Sequence, residues 1–218
     1  MTLRLVAFCL SLSFAAMPAR ACTTALLLAI DVSQSIDPGE YRIQTDGMAD
    51  ALLDPEVAYA LINGQVALMV VQWSGRDDQI VSIPWTQIRT NTDLERFAQA
   101  SRTMRRAFVM SSTGVGALVR FAHAQFRDAP DCDRQVIDIS GDGNDNAGTT
   151  PEQARRDAEA AGIMINALAI EGMGRAVTKF YEQSVITQGG FVMTSRGHSG
   201  YADTLKRKIR REVSQALF

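Results

Sequence analysis

The side chains that could carry chemistry in this sequence are five oxygen donors from three separate segments: Asp31, Ser33, Ser35, Thr113 and Asp142. Two are carboxylates and three are hydroxyls, and no histidine or cysteine stands beside any of them in the sequence. Mg²⁺, Mn²⁺ and Ca²⁺ prefer shells made only of oxygen, whereas Zn²⁺ prefers histidine nitrogen and cysteine sulfur. The residue types therefore predict a divalent-cation site, for Mg²⁺ first and for Mn²⁺ or Ca²⁺ as alternatives.

The apolar runs of the chain predict the strands that would position these donors. Residues 25–30 and 66–71 are apolar at every position, and 163–170 nearly so, whereas a half-exposed antiparallel strand would alternate. In stretches between them, such as 115–126, apolar residues recur at spacings of three and four, which is typical of a helix with one buried face. The pattern predicts a doubly wound α/β fold, with a mostly parallel six-stranded sheet and helices on both faces.

The boundaries of these elements follow from the same periodicities and from turn residues. Asp37 and Thr150 each precede a proline, so each is expected to supply a capping oxygen to a helix that begins at that proline. The predicted strands are 24–31, 65–73, 79–84, 135–140, 163–170 and 191–194, and the predicted helices are 39–53, 92–105, 114–127, 151–161, 176–187 and a last one from 201.

The three donor segments are expected to meet at one edge of this sheet. Asp31 and Asp142 follow predicted strands, and Thr113 precedes a predicted helix. Ligands of open parallel sheets bind in the crevice outside the carboxyl ends of the strands, so these segments should converge there. Taken singly, each residue also has a simpler interpretation, because Ser, Thr and Asp commonly cap turns and helices.

The combined pattern resembles a known family. Asp-x-Ser-x-Ser after the first strand, Thr-x-x-Gly at a helix start and Asp-Gly after a later strand are similar to the metal-ion-dependent adhesion site (MIDAS) of von Willebrand factor type A (vWA) domains. The order of predicted strands and helices agrees with that family over nearly the whole mature chain. The sequence looks most similar to a secreted bacterial branch described as a domain of unknown function.

The resemblance implies a role for each donor. Ser33 and Ser35 would ligate the ion directly, and Thr113 would do so directly or through water. Asp31 and Asp142 would act largely through bridging waters. One coordination position would remain open, and the resemblance implies that an Asp or Glu carboxylate of a protein partner fills it.

The segment around Asp142 departs from the family pattern. Gly141 separates Ser140 from Asp142, where the family usually has a threonine or serine directly before the aspartate. The extra glycine leaves the placement of Asp142 open. Asp145 is therefore an alternative as the distal carboxylate or as a ligand of a second ion such as Ca²⁺, although Asn and Asp clusters mostly form turns.

The N-terminal segment predicts export. Arg4, the apolar run 5–12 and the small residues that end at Ala21 are typical of a secretory signal peptide. We expect cleavage after Ala21, which leaves a single domain over 22–218 in the periplasm or outside the cell. An uncleaved membrane anchor is the alternative, but it needs about 20 apolar residues, and this run is shorter.

The cysteines are expected to form one disulfide bond. Cleavage of the signal would leave Cys22 and Cys132, in a compartment that permits disulfides. Each precedes a predicted apolar strand, so the two sulfurs come within bonding reach if those strands are parallel neighbours. Two free thiols, or a lipoprotein acylated on Cys22, are the alternatives.

The charge balance and the residue types of the site disfavour several classes of function. The chain has 22 Lys and Arg against 24 Asp and Glu, without the basic surplus of nucleic-acid binders, and no later apolar run could cross a bilayer. The site offers no nucleophile with a base positioned beside it, so we expect a noncatalytic binding module.

Two alternative functions stay open. One is a Mg²⁺-dependent phosphohydrolase of the haloacid dehalogenase type, because 141–145 is superficially similar to a motif of that family. Another is an assembly protein with a vestigial metal site.

Two further patterns concern charged residues near the core. Asp138 lies within the apolar run 136–139, where a buried carboxylate must find hydrogen bonds or a charge partner. In the C-terminal segment an apolar residue recurs every four positions, at Leu205, Ile209, Val213 and Leu217. This repeat predicts a docked terminal helix whose basic residues face the solvent.

Overall fold

A six-stranded sheet forms the centre of the domain. The computed structural model describes residues 22–214, so the predicted signal peptide at 1–21 and Leu217 lie outside the described residues. The strand order is β3-β2-β1-β4-β5-β6, and only β3 runs antiparallel, to β2. The strands are β1 Ala25–Asp31, β2 Ala67–Trp73, β3 Gln79–Gln87, β4 Gln135–Gly141, β5 Met164–Glu171 and β6 Val192–Arg196. The expected mostly parallel α/β sheet is confirmed.

Seven helices cover the sheet in the part of the chain that the structure describes. The prediction missed α2 and also extended α6, which continues as a π-helical turn over Tyr181–Val185. Asp37 caps α1 as expected, whereas Thr150 is wrong as a cap, because its backbone is left-handed and its side chain makes no capping bond. The helices are α1 Pro38–Leu53, α2 Pro55–Asn63, α3 Asn91–Thr103, α4 Val115–Gln125, α5 Pro151–Ala160, α6 Ala176–Phe180 and α7 Tyr201–Ser214.

The sheet separates two apolar layers. Along β1, Leu26 and Leu28 pack with α1, α2, α3 and α7 on one face, whereas Leu27 and Ala29 pack with α4 and α5 on the other. Each buried leucine contributes about 1.5–3 kcal/mol through removal of apolar surface from water. The alternation also fixes the face of the last residue of β1, so Asp31 belongs to the layer of Leu27 and Ala29.

A buried ionic cluster lies between β4, β5 and α7. The ammonium of Lys208 lies 2.7 Å from a carboxylate oxygen of Asp138 and 2.7 Å from one of Glu212, and the Asn166 amide donates to Glu212 over 2.8 Å. Burial, followed by the negative charge of Asp138, raises the pKa of Glu212, against the opposing effect of Lys208 and Asn166. Asp138 thus has the charge partner it required, but the expectation that the basic residues of the terminal helix face solvent is wrong for Lys208.

A disulfide bond closes the opposite end of the sheet from the donor segments. Cys22 and Cys132 are bonded, with their Cα atoms 4.5 Å apart, and an isolated parallel bridge pairs the same two residues ahead of β1 and β4. The expected bond is present, and it occupies the sulfur that lipoprotein acylation of Cys22 would need. Within residues 22–214, none of the helices combines the length and the apolar character that a bilayer crossing requires.

Candidate functional site

The donor segments meet where the winding of the sheet reverses. β1 and β4 are neighbours, and the chain leaves them toward opposite edges of the sheet, so their carboxyl ends flank a crevice. A cavity of about 440 Å³ opens there, and Ser35, Thr113 and Asp142 are among its lining residues. The crevice predicted from the sequence therefore exists, and it is large enough to admit a side chain of another molecule.

Hydrogen bonds link four of the five predicted donors into one chain. The Ser33 amide donates to Oδ1 of Asp31 over 2.7 Å, and the hydroxyls of Ser33 and Ser35 are 3.2 Å apart. The Ser35 hydroxyl donates to Oδ1 of Asp142 over 2.6 Å. Because the single proton of Ser35 is given to Asp142, its oxygen accepts from the Ser33 hydroxyl and keeps one lone pair for a cation.

Asp142 reaches the site without the slack that its preceding glycine suggested. Gly141 is the last residue of β4 and is held by the sheet, opposite Ala169 of β5. The strand therefore delivers Asp142 directly to the crevice, where it accepts the bond from Ser35. The carboxylate of Asp142 therefore lies beside the Ser35 hydroxyl although a glycine precedes it.

Asn146, which the sequence pattern predicted only as a turn residue, holds Thr113 in position. The backbone amide of Thr113 donates to Oδ1 of Asn146 over 2.7 Å, and its carbonyl accepts from the Asn146 amide over 2.9 Å. The Thr113 hydroxyl lies 3.5 Å from the position that a β-carbon on Gly143 would occupy. The loop after β4 thus places the hydroxyl of Thr113 beside the residue that follows Asp142.

Asp145 has a different role from Asp142. One of its carboxylate oxygens accepts from the Thr149 amide over 3.1 Å, and the other accepts from the Thr149 hydroxyl and from the Gly116 amide. These bonds fasten the loop after β4 to the first turn of α4. The carboxylate is committed to loop closure, which agrees with the turn-forming interpretation of the Asn-Asp-Asn segment.

Arg106 orients the loop after β1, and sequence analysis did not single it out. Its guanidinium donates to the carbonyls of Val32 and Ser33 over 2.9 and 2.8 Å. The buried side chain of Gln72 in turn binds the backbone on both sides of Arg106, donating to the Arg105 carbonyl and accepting from the Ala107 amide. In the sequence, Arg106 is one of several arginines in residues 102–106, and nothing distinguishes it from a surface residue. Its partners are backbone groups far away in the sequence, so no local pattern predicts these contacts.

The electrostatics of Asp31 favour a positive charge in the crevice. The residue is fully buried, and its Oδ2 accepts no hydrogen bond from the protein. Burial, with a smaller contribution from the charge of Asp142, raises the pKa of Asp31 to about 7, against the opposing effect of the Ser33 hydrogen bonds. A buried carboxylate with an unused oxygen gains a compensating interaction from a cation, so the residue fits a metal site.

The candidate site has few of the side chains that bind metal ions most strongly, which are those of His, Cys, Asp and Glu. Over 22–214, no three His, Cys, Asp or Glu side chains cluster in a way that could hold an ion. The crevice is instead lined by the carboxylate of Asp142 and the hydroxyls of Ser35 and Thr113, and the buried Asp31 and Ser33 are connected to Ser35 by hydrogen bonds. This chemistry fits a hard cation that retains several waters, as Mg²⁺ commonly does.

Solved structures share this fold at low sequence identity. Proximal thread matrix protein 1 (PTMP1) from the mussel byssus is 19% identical over 88% of this chain, with a TM-score of 0.65. A second PTMP1 structure, 17% identical over 90% of this chain and 46% of its own, with a TM-score of 0.62, has a zinc-occupied MIDAS motif. This chain spans only 48% of the first PTMP1 chain.

Two other similar structures are described as vWA proteins or domains. A von Willebrand factor type A protein from Catenulispora acidiphila is 16% identical over 89% of this chain and 42% of its own, with a TM-score of 0.58. The VWA domain of SpRpn10 is 13% identical over 84% of this chain and 94% of its own, with a TM-score of 0.61.

Sequence comparisons identify the family. A search among curated proteins finds no match. One family model, described as "Protein of unknown function (DUF1194)", matches residues 21–217, which is nearly the whole chain. The chain therefore belongs to the DUF1194 family, and its domain has a von Willebrand factor type A-like α/β fold.

Proposed function

We propose that the protein is an exported, noncatalytic binding module that recognises a protein partner through a divalent cation. The hydroxyls of Ser33, Ser35 and Thr113 and the carboxylates of Asp31 and Asp142 would hold the ion, with Mg²⁺ preferred over Mn²⁺ or Ca²⁺. The observation that carries the proposal is the hydrogen-bonded set from Asp31 to Asp142 at one crevice, with a buried Asp31 oxygen that has no protein donor.

The charge of the crevice supports a carboxylate as the partner's ligand. Among the described residues that line the cavity, none is basic, and Asp142 is acidic. An anionic group would therefore be repelled by the protein alone. A cation held largely by neutral hydroxyls would keep much of its charge outward and reverse this preference, which favours an Asp or Glu of the partner.

Export is supported by the disulfide bond and by the N-terminal sequence. A bond between Cys22 and Cys132 is stable in oxidising compartments and is rare in the reducing cytosol. The zinc-occupied MIDAS motif of PTMP1 gives general support for an ion in this fold.

The contacts around the crevice disfavour the phosphohydrolase. That chemistry needs a second aspartate two positions after the nucleophilic one, and this chain has Ser33 there. Asp145, which the motif comparison would place at the metal, is instead bonded to Thr149 and Gly116. No observation in the crevice supplies the missing acid.

Replacing Asp142 with asparagine is expected to weaken Mn²⁺ and Mg²⁺ binding by tenfold or more, on the order of the loss for metal-orienting groups. The amide still accepts the bond from Ser35 but lacks the negative charge. Isothermal titration calorimetry on the purified mature chain measures the effect. The expected ion stoichiometry is one per chain.

Two matched variants make this measurement specific. Asp145→Asn should reduce stability, because it weakens the bonds to Thr149 and Gly116, and should lower ion affinity less than Asp142→Asn does, because it acts on the site only through the loop. Asp77→Asn removes an exposed carboxylate from the neighbouring loop and should change neither property. Equal ion affinity in the wild type and Asp142→Asn, or a larger loss in Asp145→Asn, would contradict the assignment of Asp142.

A carboxylate should displace water from the bound ion. We expect a capped aspartate peptide to lower the water-proton relaxation enhancement of Mn²⁺ on the protein, because it occupies a position otherwise held by exchanging water. The same peptide with asparagine is the control and should have little effect. If both peptides act equally, or if EDTA leaves capture of the natural partner unchanged, the ion does not mediate recognition and the site is vestigial.

A further inference from the structure

Three buried polar groups surround the end of β4 without using their hydrogen-bonding capacity. Oδ2 of Asp31, the hydroxyl of Tyr181 and the indole N–H of Trp73 have no hydrogen-bond partner in the protein. All three residues are fully buried. A buried polar group without a partner is costly, and several of them together indicate a bound water or ion.

The Tyr181 hydroxyl, Oδ2 of Asp31 and the ring of Trp73 all approach Gly141 closely. A β-carbon on Gly141 would lie 2.5 Å from the Tyr181 hydroxyl oxygen, 3.1 Å from Oδ2 of Asp31 and 3.2 Å from Cζ2 of Trp73. The absence of a side chain at this position is therefore what makes room for them. This gives Gly141, the departure from the family pattern, a physical reason.

Strand register explains how these side chains reach the same space. Trp73 is paired with Asp31 across β1 and β2, so the two side chains leave the sheet on the same face. Tyr181 reaches that face from the π-helical turn after α6. Such turns are frequent at functional sites. Asp31 therefore shares a face of the sheet with Trp73, and the Tyr181 hydroxyl approaches its Oδ2 beside Gly141.

The Tyr181 hydroxyl keeps its proton and can donate it to the carboxylate of Asp31. Burial, followed by the charges of Asp31 and Asp142, raises the pKa of Tyr181 well above its usual value. A neutral hydroxyl and an indole N–H are suitable donors to a carboxylate, either directly or through one water.

We propose that Tyr181 is a positioning residue for the ion site, whose hydroxyl holds the carboxylate of Asp31 through one bridging water. This inference rests on the proposed function. Tyr181 does not touch the ion in this arrangement. Its hydroxyl orients the Asp31 carboxylate, as groups that hydrogen-bond to metal ligands commonly do.

Tyr181→Phe tests the proposal because it removes the donor and keeps the ring. We expect Mn²⁺ affinity to fall about tenfold by calorimetry, while the unfolding temperature of the ion-free protein stays the same or rises. A merely structural tyrosine would show the opposite pattern. Tyr201→Phe is the matched control, because Tyr201 is equally buried near Ser140 on the other face of the sheet and should leave ion affinity unchanged.

A double-mutant cycle tests the geometry independently of the ion. Gly141→Ala places a methyl group against the Tyr181 hydroxyl and should destabilise the protein. In a Tyr181→Phe background that oxygen is absent, so the same alanine should cost clearly less in urea unfolding. Equal costs in both backgrounds would overturn the placement of the hydroxyl.

The outcomes separate this inference from the proposed function. A wild type that binds Mn²⁺ together with a Tyr181→Phe variant of equal affinity would overturn the positioning role alone. A wild type that does not bind Mn²⁺, Mg²⁺ or Ca²⁺ would overturn the proposed function and this inference with it. Loss of affinity in Tyr181→Phe but not in Tyr201→Phe supports both.

Discussion

Replacing both cysteines with serine is expected to lower the free energy of unfolding by about 4 kcal/mol, which is the chain-entropy expectation for a loop of this size. The bond between Cys22 and Cys132 joins residues 110 positions apart, so it removes many conformations from the unfolded chain. It also fixes the two segments that lead into the adjacent central strands β1 and β4. Urea unfolding monitored by circular dichroism measures the difference.

The double variant should behave like the reduced wild type. Cys22→Ser with Cys132→Ser leaves no thiol in residues 22–218, so in a chain of those residues the comparison is free of exchange reactions. Wild type in excess reductant should unfold at the same urea concentration as the variant. An oxidised wild type no more stable than the variant would show that the bond does not form in solution or does not constrain the unfolded chain.

Ion affinity provides a second comparison for the same variant. The disulfide lies at the end of the sheet opposite to the crevice, and neither cysteine is within reach of Asp31 or Asp142. Mn²⁺ affinity measured well below the unfolding transition should therefore equal that of the wild type. Equal affinities would show that the disulfide stabilises the fold without influencing the proposed ion site.

Most of the fold could be predicted from the sequence because buried parallel strands have a simple signature. The apolar runs that became β1, β2 and β5 are limited to residues that pack on both faces. Helix α2 was missed because Asp54 ends one helix and caps the next directly, which leaves no loop between them. Lys208 was assigned to the solvent because its partner, Asp138, lies 70 positions away and only the fold brings the two together.

The candidate site could be predicted in part. The five donors stand out because three segments carry the same chemistry and each is next to a strand end or a helix start. The residues that hold them, among them Arg106 and Asn146, bind backbone groups of other loops, and no local pattern marks such contacts. Tyr181 belongs to the same class, because its relation to Asp31 depends on the space that Gly141 leaves.

Gly116→Ala is expected to destabilise the protein by about 3 kcal/mol, at the upper end of typical overpacking costs. A β-carbon on Gly116 would lie 2.7 Å from the carbonyl carbon of Thr149 and 2.9 Å from the nitrogen of Pro151. Both neighbours are backbone atoms, so no side-chain rotation relieves the clash. The loop after β4, or the start of α4, must move instead.

The sign of this effect distinguishes packing from helix propensity. Gly116 lies in the first turns of α4, where alanine is favoured over glycine by about 1 kcal/mol when only propensity acts. The close approach of Thr149 predicts the opposite result. Urea unfolding of Gly116→Ala decides between the two, and a variant as stable as the wild type would contradict the contact between α4 and the loop.

The same substitution should also weaken ion binding, although Gly116 is not a proposed ligand. Moving the loop after β4 displaces Asn146, which holds Thr113, and strains the segment that begins at Asp142. Gly172→Ala, in the loop after β5, is the control, because its β-carbon would meet no atom within 4 Å. We expect Gly172→Ala to change stability by less than about 0.5 kcal/mol. A loss of Mn²⁺ affinity in Gly116→Ala but not in Gly172→Ala, measured where both are folded, would show that the site depends on the docking of this loop against α4.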